Sequence, residues 1–120
     1  MWKLALMMAV VAMGTPAIAQ SVKAGIEAWQ RADYFAAVQI WRPLAEAGDS
    51  DAAFNLGQAY RLGRGVPLDI AAAQTWFERA ARNGHLDAQT TLGLLQFGSG
   101  NRVSGLRWLK SAADKGEPRT

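Results

Sequence analysis

Hydrophobic residues recur at helical spacing along most of the chain. Between 51 and 62, Ala52, Leu56 and Tyr60 are four residues apart and share one face of a helix. The segment from 70 to 83 carries a similar stripe, in which large aromatic residues alternate with alanines. The pattern predicts an all-α fold with six helices, at about 21–31, 34–47, 51–62, 70–83, 87–97 and 102–115.

The predicted helices repeat with a period in the mid-thirties. Residues 36–57 align without a gap on residues 72–93 at an offset of 36. A third copy, 104–116, matches the second at an offset of 32, so its connecting loop is four residues shorter. A helix pair of this kind cannot bury its apolar face alone, which predicts a short α-solenoid of antiparallel helix pairs. The expected units are about 20–48, 49–84 and 85–116.

Glycine, proline and acidic residues mark the predicted helix ends. Asp49 or Ser50 is the expected N-cap of the third helix. Pro43 lies inside the second helix, where it removes a hydrogen bond, and we expect a bend there. A left-handed glycine is expected to follow the second helix of each unit, at Gly48, Gly84 and Gly116.

The stretch "LGRGVPLD", residues 62–69, has two interpretations. As a phosphate-binding loop it would need a lysine, a hydroxyl residue and a preceding strand, which this stretch does not have. As a joint between two helices, Gly63 ends one helix and Asp69 caps the next. The joint is the favoured interpretation, and it leaves Arg64 exposed at the tip, with a local anion contact as the alternative.

The run from 51 to 84 carries the pattern A-x-x-x-L-G-x-x-Y-x-x-G-x-G-V-x-x-D, followed by A-x-x-W-x-x-x-A-A-x-x-G. With this pattern it resembles a unit of the Sel-1-like repeat family, a relative of the tetratricopeptide repeats. The resemblance implies stacked helix pairs and adaptor or regulatory roles in protein complexes. The third copy departs from the pattern, since Gln96 stands where Tyr60 stood and "GSGNRVSG" has no Val-Pro-x-Asp. The matching positions are Ala52, Leu56, Gly57, Tyr60, Gly63, Gly65, Val66, Asp69, Ala73, Trp76, Ala80, Ala81 and Gly84.

The first nineteen residues have the pattern of a signal peptide. A basic start at Lys3 precedes the apolar run Leu4–Met13, and Ala17-Ile18-Ala19 is an A-x-A cleavage signal. An uncleaved anchor is the alternative, but ten apolar residues are too few for a bilayer, which needs about 20. We therefore expect a signal peptide over 1–19, a repeat domain over 20–120, and a periplasmic or secreted protein with no membrane span in its mature chain.

Charge is unevenly divided along the chain. The formal net charge is +3. Residues 20–60 hold three basic and five acidic groups, whereas residues 61–120 hold nine and five. A basic C-terminal half could attract an acidic partner, and an uneven but solvated surface is the plainer interpretation. We expect no nucleic-acid partner.

The chain offers little catalytic chemistry. His85 is the single histidine and there is no cysteine, so a metal or catalytic histidine would have no usual partner. We expect His85 to be solvated in a loop. The serines lie in no G-x-S-x-G elbow, no spacing singles out a carboxylate pair, and the tryptophans follow the repeat and indicate core packing. We therefore expect no enzyme, catalytic residue, cofactor or metal.

A partner-binding surface is the remaining prediction. In this repeat class the first helix of each pair lines the inner face, which would carry exposed Phe54 and its neighbours. Alternatively, Leu94 and Phe97 pack into the third unit to replace the missing tyrosine. The predicted partner-binding residues are Phe54, Asn55, Gln58, Arg61, Arg64, Thr91 and Leu94.

Three functions fit these features. The favoured hypothesis is a non-catalytic module, a periplasmic or secreted adaptor or regulator, that binds a protein or peptide on its concave face. The family resemblance also suggests a cell-wall-directed hydrolase of the β-lactamase-like kind, although the chain has none of the cysteine pairs of such members. The third is a structural subunit of a larger solenoid, with self-association through an uncapped C-terminal helix pair.

Overall fold

The computed structural model describes residues 21–116, which form six α-helices joined by turns. All six predicted helices occur, and the all-α fold is confirmed. The predicted signal peptide lies outside the described residues. The helices are α1 Val22–Gln30, α2 Tyr34–Glu46, α3 Ser50–Leu62, α4 Ile70–Arg82, α5 Leu86–Gly98 and α6 Arg102–Gly116.

Side-chain caps start five of these helices. In each, the cap accepts a hydrogen bond from the backbone N–H three residues further on, which satisfies one of the free N–H groups of the first turn. Such a cap contributes about 1 kcal/mol to stability. The caps of α1 to α5 are Ser21, Asp33, Asp49, Asp69 and His85.

Left-handed glycines follow helices where the repeat pattern predicts them. Gly48 and Gly84 have φ angles of 107° and 88°, and Gly63 caps α3 with a φ of 68°. The prediction for Gly116 was wrong, because this residue is part of the last helix. At Pro43 the helix continues to Glu46, so the proline does not interrupt it.

Each unit packs a glycine of its first helix against a large residue of its second. A Cβ on Gly57 would lie 2.6 Å from the Phe77 ring, and one on Gly93 would lie 2.8 Å from Leu109 Cγ. In the first unit the same relation joins Gly25 to Trp41. Helices can approach this closely only where no side chain intervenes, so the same packing device holds all three pairs together.

The units stack so that each helix packs against the next one in the chain. The buried core runs through them, with Leu56, Phe77 and Leu92 fully enclosed. The connections inside the units differ, as the shorter third loop predicts. Residues 63–69 join α3 to α4, whereas only residues 99–101 join α5 to α6. The long connection therefore belongs to the middle unit.

Candidate partner-binding groove

A groove of about 270 Å³ lies between the first helices of units 1 and 2. α1 forms one side and α3 the other, and Trp41 of α2 contributes to the lining between them. A concave, mostly apolar site on rigid helices is a common setting for ligand binding. The lining residues are Ile26, Trp29, Trp41, Phe54, Asn55, Gln58 and Leu62.

Tryptophans fix the α1 side of the groove. The ring centroid of Trp29 lies 5.5 Å from that of Trp41 and 4.7 Å from that of Tyr34. The indole Nε1–H of Trp41 donates to the carbonyl of Val22 at 3.1 Å. Trp41 is buried and Trp29 half-buried, in agreement with the predicted role in the core. This side of the groove is therefore held in place before any partner arrives.

Phe54 forms the end of the groove nearest unit 3. The prediction of an exposed ring was wrong, because Phe54 is half-buried and packs against the hydrophobic core. Its ring centroid lies 5.5 Å from that of Phe77 and 4.9 Å from the imidazole of His85, with which it stacks. Phe54 therefore forms an apolar wall of the groove, and its contacts with Phe77 and His85 hold the ring in place.

Two carboxamides supply the polar part of the lining. Asn55 and Gln58 are both half-buried on α3. Arg61 Nε donates to Gln58 Oε1 at 2.7 Å, so the arginine orients this amide beside the groove. No hydrogen bond among residues 21–116 engages the side chain of Asn55, which leaves its donor and acceptor for a ligand.

Three predicted residues lie elsewhere. Thr91 and Leu94 are on α5, at positions one unit after Asn55 and Gln58. Leu94 is 60% exposed and Phe97 40% exposed, so neither fills the third unit's core as the alternative required. The seven predicted residues thus do not form one site: three line the groove, Arg61 flanks it, and Arg64 lies in the α3–α4 connection.

The α3–α4 connection rests on the preceding unit. A Cβ on Gly65 would lie 2.5 Å from the carbonyl oxygen of Tyr34, and the φ of Gly65 is 77°. The guanidinium of Arg64 is 5.1 Å from the centroid of the Tyr34 ring. The stretch is therefore a connection between two helices, as predicted. Arg64 is exposed but not free at a tip, because it lies over Tyr34.

His85 is the clearest departure from prediction. Its side chain is only 14% exposed. Nδ1 accepts from the backbone N–H of Ala88 at 3.1 Å, which places the ring proton on Nε2, 2.9 Å from Asp51 Oδ1. The expected solvated loop is wrong because three contacts hold the ring: the α5 cap, Asp51 and the face of Phe54.

Sequence reasoning missed the α1 half of the groove. Ile26 and Trp29 belong to α1, which lies before the aligned repeat that begins at residue 36. The packing of Gly25 and Gly57 gives an offset of 32 between α1 and α3, which places these two residues on Gln58 and Arg61. Gln58 and Arg61 are both predicted partner-binding residues, so the repeat itself carries a signal for Ile26 and Trp29.

Membrane insertion and metal binding are two further possibilities for residues 21–116. No helix in that range is both long and apolar enough to cross a membrane. Nor does that range hold a group of three or more residues of metal-binding type placed to share an ion.

Two stretches of the chain match a known repeat family. The model of the Sel1 repeat matches residues 50–85 and again residues 86–117. The chain belongs to the Sel1 repeat family. Repeats of this family are helical, typically non-catalytic, and generally serve as protein–protein interaction modules.

Curated relatives of this chain come from a plant and from a bacterium. An F-box protein of Arabidopsis thaliana is 36% identical over 73 residues, 61% of this chain and 20% of the relative. An exopolysaccharide production negative regulator of Rhizobium meliloti is 29% identical over 90 residues, 74% of this chain and 34% of the relative. The chain thus spans 20% and 34% of these relatives' lengths.

Proposed function

We propose that this Sel1 repeat protein is a non-catalytic binding module that holds a peptide segment of a partner in the groove between α1 and α3. The observation that carries the proposal is the pairing of an apolar groove with two half-buried carboxamides on one helix. Such a groove suits one apolar side chain of the partner, flanked by its main chain.

The chemistry of the lining supports a peptide occupant. Trp29, Phe54 and Leu62 offer apolar surface to a side chain. A carboxamide presents one acceptor and two donors, and therefore matches the C=O and N–H groups of a peptide backbone. Asn55 retains these groups, while Arg61 holds Gln58 in a fixed orientation. Because these helices are already packed, the partner bears most of the ordering cost.

Export and regulation belong to the same proposal. The basic start, apolar run and A-x-A signal of residues 1–19 support a periplasmic or secreted location. The relative from Rhizobium meliloti is named a negative regulator, which favours an adaptor or regulatory role over a purely structural one. The partner is a protein or peptide, with no cofactor involved.

A hydrolase is disfavoured by the situation of His85. Its Nδ1 is occupied by the cap of α5 and its Nε2 faces Asp51. A general base must reach the proton of a nucleophile, and no serine among residues 21–116 is hydrogen-bonded to this ring. A β-lactam turnover assay that gives activity lost in His85→Ala would reverse this conclusion.

A structural role has one observation in its favour. Leu106 of α6 is 53% exposed, whereas Val38, two units earlier in register, is buried against the following unit. If this face mediates self-association, sedimentation velocity will show a larger species at high protein concentration, and Leu106→Glu will remove it. A monomer at all concentrations would exclude that role for the purified chain.

Binding measurements test the groove directly. Peptides selected from a random library on the purified protein should bind wild type and lose at least about tenfold affinity with Asn55→Ala, since hot-spot contacts cost about 1.4 kcal/mol or more. Thr91→Ala is the matched control, because it lies at the same position one unit later and outside the groove. Equal losses in both variants would contradict the proposal.

A further inference from the structure

A second cavity, of about 350 Å³, lies between the second helices of units 2 and 3. It is formed by α4 and α6, which are the second helices of their units, whereas the groove lies between the first helices α1 and α3. Its volume is at the low end of the range for small-ligand sites, which begins at about 300 Å³. The lining residues are Glu78, Arg82, Ser104, Arg107, Trp108 and Ser111.

The corresponding place between units 1 and 2 serves as an internal comparison. There Arg79 of α4 lies over the indole of Trp76, with its guanidinium carbon 4.7 Å from the ring centroid. In unit 3 the tryptophan is retained as Trp108, but Ser111 stands where Arg79 stood. A serine is too short to cover an indole. The indole face of Trp108 is therefore left as part of the cavity lining.

A second pair of differences lies beside the cavity. Arg42 of α2 donates from Nη2 to Tyr60 Oη at 2.9 Å and joins units 1 and 2. One unit later the two positions are Glu78 and Gln96. Gln96 accepts from Ser104 instead, and Glu78 is left to pair with Arg82. The lining of the cavity is thus particular to units 2 and 3 and is not required by the repeat.

Both serine hydroxyls in the lining already donate their protons. Ser104 Oγ donates to Gln96 Oε1 at 2.6 Å, and Ser111 Oγ donates to Gln89 Oε1 at 3.2 Å. Gln89 is itself fixed, because its Nε2 donates to the carbonyl of Ala81 at 3.0 Å. The serine oxygens therefore keep lone pairs and can accept a hydrogen bond from an N–H group.

The charges of the lining leave one cation in excess. Arg82 Nη2 is 2.6 Å from Glu78 Oε2, so this pair is locally neutral. Arg107 forms neither a hydrogen bond nor an ion pair with any residue in 21–116. A guanidinium binds a carboxylate through two parallel hydrogen bonds, which makes Arg107 the natural place for an anionic group.

We propose that this cavity binds the carboxylate of an N-acylated amino acid, the group found at the C-terminus of a peptide. The carboxylate pairs with Arg107, the adjacent amide N–H donates to the oxygen of Ser104 or Ser111, and the side chain lies on the Trp108 indole. Each feature of the ligand answers one feature of the lining. The site is separate from the α1–α3 groove and does not depend on it.

The test is an NMR titration of the purified protein with acetyl-Ala-Leu, as the free acid and as the C-terminal amide. The Trp108 indole N–H resonance should shift with the acid, and the amide should bind about threefold to fivefold more weakly, as expected for loss of a charge pair at an exposed arginine. Arg107→Gln should remove this preference. Arg102→Gln, outside the lining and placed over Phe97 instead, is the matched control and should keep it.

Three outcomes would overturn the proposal. Equal shifts with acid and amide would exclude recognition of the carboxylate. Acetate that competes as well as the dipeptide would show a simple anion site. Shifts confined to Trp29 and Asn55 would assign the binding to the other groove. Circular dichroism of both arginine variants checks that they fold, and both are exposed residues whose replacement should leave the melting curve unchanged.

Discussion

Different interactions hold the two interfaces between units. The interface of units 1 and 2 is called the first joint, and that of units 2 and 3 the second joint. At the first, the long α3–α4 connection lies against α2, with Gly65 close to the backbone of Tyr34. Arg42 reaches Tyr60 across the same joint. Backbone contact and aromatic side chains thus dominate the first joint.

The second joint depends on polar side chains. Gln89 is 2% exposed and bridges units 2 and 3, with its amide on Ala81 and its carbonyl accepting from Ser111. His85 joins the start of α5 to Asp51 of α3. The position of Gln89 is Ala53 one unit earlier, so a small apolar residue at the first joint becomes a hydrogen-bonding residue at the second.

The difference shows what a repeat protein can vary without losing its fold. The glycine-to-large-residue packing inside each unit is the same, whereas the contacts between units differ. Because stability of such arrays is a sum of unit and interface contributions, each joint can be altered separately. The groove with two carboxamides lies at the first joint, and the cavity lined by arginine, glutamate and serine side chains lies at the second.

The largest loss of stability is expected from a substitution that disrupts the first joint. Gly65→Ala combines left-handed strain of about 1–2 kcal/mol with a clash against Tyr34 of about 1–3 kcal/mol. Gly100→Ala is the control, since Gly100 also has a positive φ but nothing lies within 4 Å of its Cβ position. Urea unfolding should show Gly65→Ala to be the more destabilised by at least about 1 kcal/mol. Equal losses would mean that the connection does not rest on α2.

The next largest loss of stability is expected when the second joint is made to resemble the first. Gln89→Ala places there the residue found at Ala53 and leaves the Ala81 carbonyl and the Ser111 hydroxyl without their partner. Buried polar groups left unpaired cost about 1–3 kcal/mol, so we expect a loss in that range. A change below about 0.5 kcal/mol, typical of surface positions, would show that the bridge does not hold the units.

His85→Ala should give an intermediate loss. Removal of an N-cap costs about 1 kcal/mol, and this variant also loses the contacts with Asp51 and Phe54. Asp49→Ala, at the equivalent cap of α3, removes the cap alone. In thermal unfolding, the melting temperature of His85→Ala should therefore be lower than that of Asp49→Ala. The reverse order would contradict the role of His85 in the joint.

The smallest effect concerns single hydroxyls. Tyr60→Phe removes the acceptor of a part-buried arginine, for which we expect a loss of about 1 kcal/mol. Tyr34→Phe is the control, because its hydroxyl lies 3.5 Å from an exposed Arg64 group and should contribute almost nothing. Chemical denaturation that ranks Tyr34→Phe lower than Tyr60→Phe would reverse this comparison of the two tyrosines.

Helices and units were predictable because each depends on local pattern and on the repeat. The groove was only half predictable, since Asn55 and Gln58 lie on a recognisable helix face but Trp29 comes from a first unit with another offset. His85 shows the same limit. It aligns with the cap Asp49, which indicates a cap, but its contact with Asp51 arises only when α3 and α5 are stacked.

The central claim is that a partner's apolar side chain enters the groove between α1 and α3. Intermolecular nuclear Overhauser effects between a selected peptide and the protein test it most directly. We predict contacts from one apolar side chain to the Trp29 indole and the Phe54 ring, and from the peptide backbone to the Asn55 amide. Contacts confined to α4 and α6, with none to these three residues, would contradict the claim.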